Sequence, residues 1–341
     1  MTFRLLHELP PKENNPRNSE GSFLRAPDGS ILFAYSRFTG SSGDDHCPCD
    51  IALIRSFDEG ETWTKDSEII APAAFFGVQN VMSVSSMTLL DGSLCFFFLI
   101  KENDGTSTVG RTVSADGGKT FTPSRCVCDF EKAYYVINND RFIRLTDGRI
   151  AAPASWHNNT NAGKPGEIML FVSDDDGYSF REAWQSRLVC ADPNPQGFQE
   201  PGIRTLPDGR FFLWMRTALG CQYACRSDTV NIFPTPAPTE FISPCAPMSV
   251  LPDGNTYYAV YANTFDGNPY GPRTPLVIRV STDGAETFGE PQIIESDPRR
   301  NYAYTAGMKT RDGAILLAYV RGDREKEDYG NGRVGIAKIT L

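Results

Sequence analysis

Apolar positions along the chain come in short runs, and turn residues interrupt them at close intervals. The longest run, Cys95-Phe-Phe-Phe-Leu-Ile100, has the length of a strand. No long stretch places apolar residues at i, i+3, i+4 and i+7. The 24 Pro and 30 Gly punctuate the sequence from end to end. The pattern therefore predicts an all-β protein.

Two motifs recur within that pattern. In the first, an Asp-Gly pair precedes an apolar strand. The pairs begin at Asp28, Asp91, Asp147, Asp208, Asp253 and Asp312, separated by 63, 56, 61, 45 and 59 residues. Asp-Gly between apolar runs predicts a hairpin, with a type I′ turn as the expected geometry. The second motif reads Ser-x-Asp-x-Gly-x-Thr/Ser-aromatic. Its copies run from Ser56 to Trp63, Ser114 to Phe121 and Ser173 to Phe180, with a fourth from Ser281 to Phe288 in which Ala285 replaces Gly. The Ser and Asp side chains suit hydrogen bonds to turn amides, so these boxes are expected to staple structure rather than to catalyse.

A repeat of about 40–60 residues carrying about four strands fits a propeller blade. The fold class expected is all-β, a six-bladed β-propeller, with residues 1–341 as a single domain. A closed ring overrides the prior of roughly one domain per 150 residues. The chain ends are expected to meet. Ligand-binding residues are then expected where the inner strands of different blades begin, scattered along the sequence.

Composition narrows the function classes. Hydrophobic residues make up 40% and charged residues 22%, as in ordinary globular chains. The formal net charge of −9 weighs against a general nucleic-acid or anionic-membrane binder. No run approaches the ~18 apolar residues of a membrane-spanning helix. The first residues lack the sustained apolar segment of a signal peptide, so a cytoplasmic location is expected. The nine Cys form an odd set, and the C-x-C pairs Cys47/Cys49 and Cys126/Cys128 have no matching His. Reduced thiols, no metal and no cofactor are expected. Phosphate-loop, dinucleotide and H-E-x-x-H motifs are absent.

Finer spacing points to a family. Glu200 stands eight residues before Asp208, Arg216 follows Glu200 by sixteen, Arg273 opens an R-x-x-L strand into the fourth box, and Tyr304 stands eight before Asp312. In this register the chain resembles the sialidase superfamily, the six-bladed propellers with Asp-box repeats. The resemblance implies an exo-glycosidase. Tyr304 would be the nucleophile, Glu200 its activating base, and Arg216 and Arg273 a clamp on a substrate carboxylate. The chemistry is coherent. A sialic-acid-like sugar carries a carboxylate on its anomeric carbon, which guanidinium forks grip and a carboxylate nucleophile would meet with repulsion. A tyrosine is neutral until a base takes its proton.

The register also departs from the family. Ser19 stands where sialidases carry their first Arg, with Arg17 two residues away, and the count for the acid Asp lands on Cys47. A shifted Asp45 or Asp44 is the expected acid. His157 and Glu20 are the alternative acid or base. Arg37, Asn139, Gln222 and Trp156 are expected on the substrate, with Trp214 and Tyr223 as further stacking faces or, more plainly, packing. The partner expected is an acidic sugar or oligosaccharide, with no nucleic acid and no membrane. Two other readings stand beside the first. One is a propeller glycosidase or lyase acting on a different sugar. The other is a non-catalytic carbohydrate-binding propeller.

Overall fold

The computed structural model describes residues 1–157, 165–184, 186–194, 196–327 and 330–341. Among these, regular structure is almost wholly β, with one 3-10 turn at Ala73–Phe76. The chain divides into two compact units, one of Met1–Cys128 with Tyr304–Leu341 and the other of Asp129–Ala303.

The first unit contains two consecutive antiparallel sheets. One runs Asn18–Arg25, Ile31–Phe38, Cys49–Ser56 and Glu68–Ala71, and the next runs Asn80–Thr88, Leu94–Lys101, Ser107–Ser114 and Thr122–Arg125. A single parallel bridge, Cys49 to Asn80, joins them. A third sheet has the order Thr2–Leu9, Val334–Thr340, Ile315–Asp323 and Arg300–Lys309. Thr2 pairs with Thr340 and Leu9 with Val334, so the two ends of the chain meet in one sheet.

The second unit contains three more sheets. In the first, Tyr134–Val136 and Ile143–Arg144 both pair with Ile150–His157, followed by Glu167–Ser173 and Ser179–Glu182. The others run Gln199–Thr205, Phe211–Arg216, Cys221–Ser227, Ala237–Ile242 and Ser249–Asp253, Thr256–Ala262, Leu276–Ser281, Gln292–Glu295.

Middle strands are buried on both faces, which is why they read as unbroken apolar runs. Alternation sends their side chains to different cores. Leu32 and Ala34 pack with Phe96 and Phe98 of the following sheet, whereas Ile31, Phe33 and Tyr35 pack with Leu316 and Ile336. In the second unit, Leu213 and Met215 join Ile168 and Leu170, while Phe212 and Trp214 join Met248 and Tyr261.

The Asp-Gly turns correct one expectation. They are not type I′. In the first, Ala26 N–H donates to Ser30 O and Gly29 N–H to Ala26 O, both at 2.9 Å, with only Gly29 at positive φ (+92°). This is a three-residue loop, a type I turn closed by a left-handed glycine. The turns at Asp91, Asp147, Asp208 and Asp312 repeat both bonds. The reason lies in the Asp side chain, which accepts the amide two residues on (Ser30 N to Asp28 Oδ1, 2.9 Å) and so favours the type I geometry. Only Gly254-Asn255 forms a two-residue loop, between paired Asp253 and Thr256. The boxes behave as expected. Gly60 N–H donates to Ser56 Oγ (2.8 Å) and Thr62 N–H to Asp58 Oδ1 (2.8 Å), and the other three copies match, including the one with Ala285.

Candidate functional site

One local device presents most of the candidate residues. In three sheets the first strand carries a bulge in which two residues oppose one. These are Glu20-Gly21 between the pairs Ser19–Ser36 and Ser22–Ala34, Ser83-Val84 between Met82–Leu99 and Ser85–Phe97, and Glu200-Pro201 between Gln199–Arg216 and Gly202–Trp214. The leading residue is left-handed each time, with φ of +50° at Glu20, +64° at Ser83 and +45° at Glu200, and Tyr304 shares that conformation at +54°. Non-glycine residues seldom adopt it, and such outliers gather at functional sites. All four stand eight residues before the Asp of the following Asp-Gly turn.

In the first unit Glu20 holds Arg17. The arginine's side chain is buried, and both terminal nitrogens are engaged: Nη1 donates to Asp45 Oδ1 (2.5 Å) and Gly43 O (3.0 Å), and Nη2 to Glu20 Oε1 (2.9 Å). The guanidinium lies 4.5 Å from the Phe38 ring centroid. Glu20 is buried and also accepts a hydrogen bond from the Ser83 hydroxyl. Burial works against the Arg17 charge, yet the Asp45 and Glu20 carboxylates outweigh it and raise the arginine's pKa. Burial likewise opposes the Asp45 charge, but Arg17 and Lys101 prevail and hold the carboxyl below its ordinary range. The Asp45 backbone is held too, its carbonyl accepting from Lys101 Nζ (2.5 Å) and Asn80 Nδ2 (3.2 Å). Asp45 is therefore an ionised, solvent-reaching carboxylate, and Asp44 instead caps the turn amide of His46 (2.9 Å).

In the second unit Glu200 Oε2 accepts from Arg216 Nη1 at 2.7 Å, with both side chains largely buried. Arg216 Nε donates to Cys245 Sγ (3.0 Å), and Arg273 Nη2 to Cys245 O (3.0 Å). Asn301 Oδ1 accepts from the Arg273 amide (3.0 Å), which fixes that arginine's backbone. Beneath lies Arg141, fully buried, its Nη1 on Ser249 Oγ (3.2 Å) and Nη2 on Met248 O (2.8 Å). Burial and the Arg204 charge push its pKa down to about 10, against the pull of Asp140 and Glu200. Glu200 is thus held in a largely buried ion pair with Arg216.

The remaining candidates are placed less tellingly. His157 ends the strand Ile150–His157, half-buried, with Nε2 3.3 Å from Ser155 Oγ. Trp156 is half-buried, with the Arg187 guanidinium 4.2 Å over its ring. Arg37 lies on the strand Ile31–Phe38, across from Asn18 and Asp50. Asn139 is fully buried beside Asn138, whose Oδ1 accepts its amide (2.7 Å). Gln222 is fully buried too, donating to Ser243 Oγ and Ala246 O, both at 2.8 Å. Trp214 has no exposed face and donates to Met248 O (2.8 Å), so it packs rather than stacks on a sugar. Tyr223 is buried and donates to Asp192 Oδ2 (2.7 Å). Sequence reasoning gave Ser83 and Cys245 no role, although the eight-residue offset that marks Glu200 and Tyr304 reaches both. It also set Arg17 aside for being two residues out of register.

The sheets and boxes define a class, the propellers built from Asp-box repeats. A family model described as a BNR repeat-like domain matches residues 35–317. The chain belongs to that family. No curated protein sequence matches. Among solved structures, a protein of unknown function from Dyadobacter fermentans superposes with a TM-score of 0.75 at 17% identity, over 99% of both chains. The NanB sialidase of Streptococcus pneumoniae gives 0.74 at 12% identity over 99% of this chain and 70% of its own. The leech intramolecular trans-sialidase, in complex with 2,7-anhydro-Neu5Ac, gives 0.69 at 12% identity over 100% and 70%. The fold is accordingly the six-bladed β-propeller of the sialidases.

Proposed function

We propose that the protein is a retaining exo-glycosidase acting on a terminal sialic acid or a related acidic sugar, with Tyr304 as its nucleophile. The observation that carries this reading is the setting of Arg17. It is a buried guanidinium whose fork holds an exposed carboxylate, that of Asp45. A substrate carboxylate is chemically equivalent to Asp45 as a partner for that fork. Exchange of one for the other frees Asp45, removes the main influence that keeps it ionised, and lets it serve as an acid.

The Tyr304 Oη then bonds to the anomeric carbon as the glycosidic C–O bond breaks. Asp45 gives its proton to the leaving oxygen. Glu200 takes the phenol proton, the role the family resemblance assigns to it, and Arg216 and Arg273 hold the substrate carboxylate. In the second half water attacks the anomeric carbon and yields its proton to Asp45, and Tyr304 leaves with the proton returned from Glu200. The fold shared with sialidases supports this class of reaction.

The test is capture of the covalent intermediate. A fluorinated sialosyl donor with a good leaving group forms the first bond readily and hydrolyses slowly. Peptide mass mapping is expected to find the sialosyl mass on Tyr304. A label on another residue, or turnover of the donor with no label, overturns the assignment.

A further inference from the structure

We infer that Cys245 is a positioning residue that sets Arg216 and Arg273 together, and with them the grip on the substrate's acidic group. The inference rests on the reading of those two arginines given above. Two independent observations converge on it. Cys245 stands eight residues before Asp253, the sequence offset that Glu20, Ser83, Glu200 and Tyr304 have from their own turns, here just ahead of the strand Ser249–Asp253. Its two acceptors serve both arginines, Sγ taking Arg216 Nε and the carbonyl oxygen taking Arg273 Nη2, each at 3.0 Å.

The segment that carries Cys245 is itself fixed. Its amide donates to Pro269 O (2.7 Å), and Ala246 N–H turns back to Pro244 O (2.7 Å). The buried Gln222 amide spans the segment by donating to Ser243 Oγ and Ala246 O. Gln222 therefore braces the segment on both sides of Cys245. Arg216 is held at two points of its guanidinium, Nε on Cys245 and Nη1 on Glu200, which fixes the plane of the fork. A fork set in advance loses little freedom when a carboxylate arrives, and that saving appears as affinity rather than as rate.

The test uses Cys245→Ala, which removes the side-chain acceptor and keeps the carbonyl, and Cys245→Ser, which restores an acceptor. In protein with 15N-labelled arginine, the Arg216 Nε–H resonance is assigned by its loss in Arg216→Lys. Its solvent exchange is expected to quicken about ten-fold in Cys245→Ala and to stay slow in Cys245→Ser. On a chromogenic α-sialoside, Cys245→Ala is expected to raise KM about five-fold with kcat changed less than about two-fold, and Cys245→Ser to recover the wild-type KM. Unchanged Nε–H exchange in Cys245→Ala overturns the inference whatever the activity. Equal KM values in wild type and Cys245→Ala overturn it as well. Quickened exchange in a protein whose wild type does not turn over the α-sialoside upholds the positioning role and removes the substrate reading instead.

Discussion

Arg17 is kept charged inside the first unit by partners that are not equal. Glu20 is as buried as the arginine, whereas the Asp45 side chain is 57% exposed. Removing the cation strands the buried partner. Arg17→Ala is therefore expected to cost about 3 kcal/mol, read as a lower urea midpoint, because it breaks the buried ion pair with Glu20. Arg17→Lys keeps the charge but loses the fork, and should fall between the two. Asp45 adds a pH dependence. Its folded pKa lies below the unfolded value, so its contribution is present at neutral pH and is lost as pH falls through the folded value, below about pH 4. Asp45→Asn should flatten that acid limb in urea titrations between about pH 2 and pH 6, with little change in slope above it. An acid limb unchanged by the substitution would mean that Arg17 does not hold Asp45 in solution.

At the level of elements, boxes and turns act as rulers. Gly60 sits at φ +86°, and a Cβ there would lie 2.7 Å from Leu316 Cδ1. Gly92 has the same φ with nothing within 4 Å. Gly60→Ala should thus destabilise by about 2–4 kcal/mol, combining backbone strain with a clash in the core, while Gly92→Ala should cost about 1 kcal/mol from the backbone alone. Thermal unfolding of the two variants separates these terms. The same rulers explain what could be read from the sequence. Hydrogen-bond register fixes the distance from an Asp-Gly turn back to a bulge, so Glu200 and Tyr304 were legible by counting. Arg17 was not, since the count from the turn lands on Ser19, two residues along, and only the structure shows Phe38 N–H donating to the Arg17 carbonyl (2.9 Å) at the entry to the strand Asn18–Arg25. Asp45 lies in an irregular segment, and the bonds from Lys101 and Asn80 to its carbonyl and from Arg17 to its carboxylate show where it is held. The turn type was misjudged because Asp-Gly alone does not reveal that the Asp side chain would cap the loop.

At the scale of the whole chain, the six sheets among the described residues, three in each unit, each have one residue eight positions before the Asp of their Asp-Gly turn, and these residues differ in kind. The first unit contributes Tyr304, Glu20 and Ser83, with Arg17 and Asp45 beside them. The second contributes Glu200 and Cys245, with Arg216 and Arg273. The proposed reaction draws on both sets, so losses from Tyr304→Phe and Glu200→Gln should not add. The double variant should be about as impaired as the worse single one. Additive losses would mean that the two residues serve separate roles. The most direct measurement is turnover of a chromogenic α-sialoside by wild type and Tyr304→Phe side by side, with folding checked by circular dichroism. The account predicts turnover by the wild type and a fall in kcat of about a thousand-fold or more in the variant. Equal turnover by the two, or none by the wild type, would contradict it.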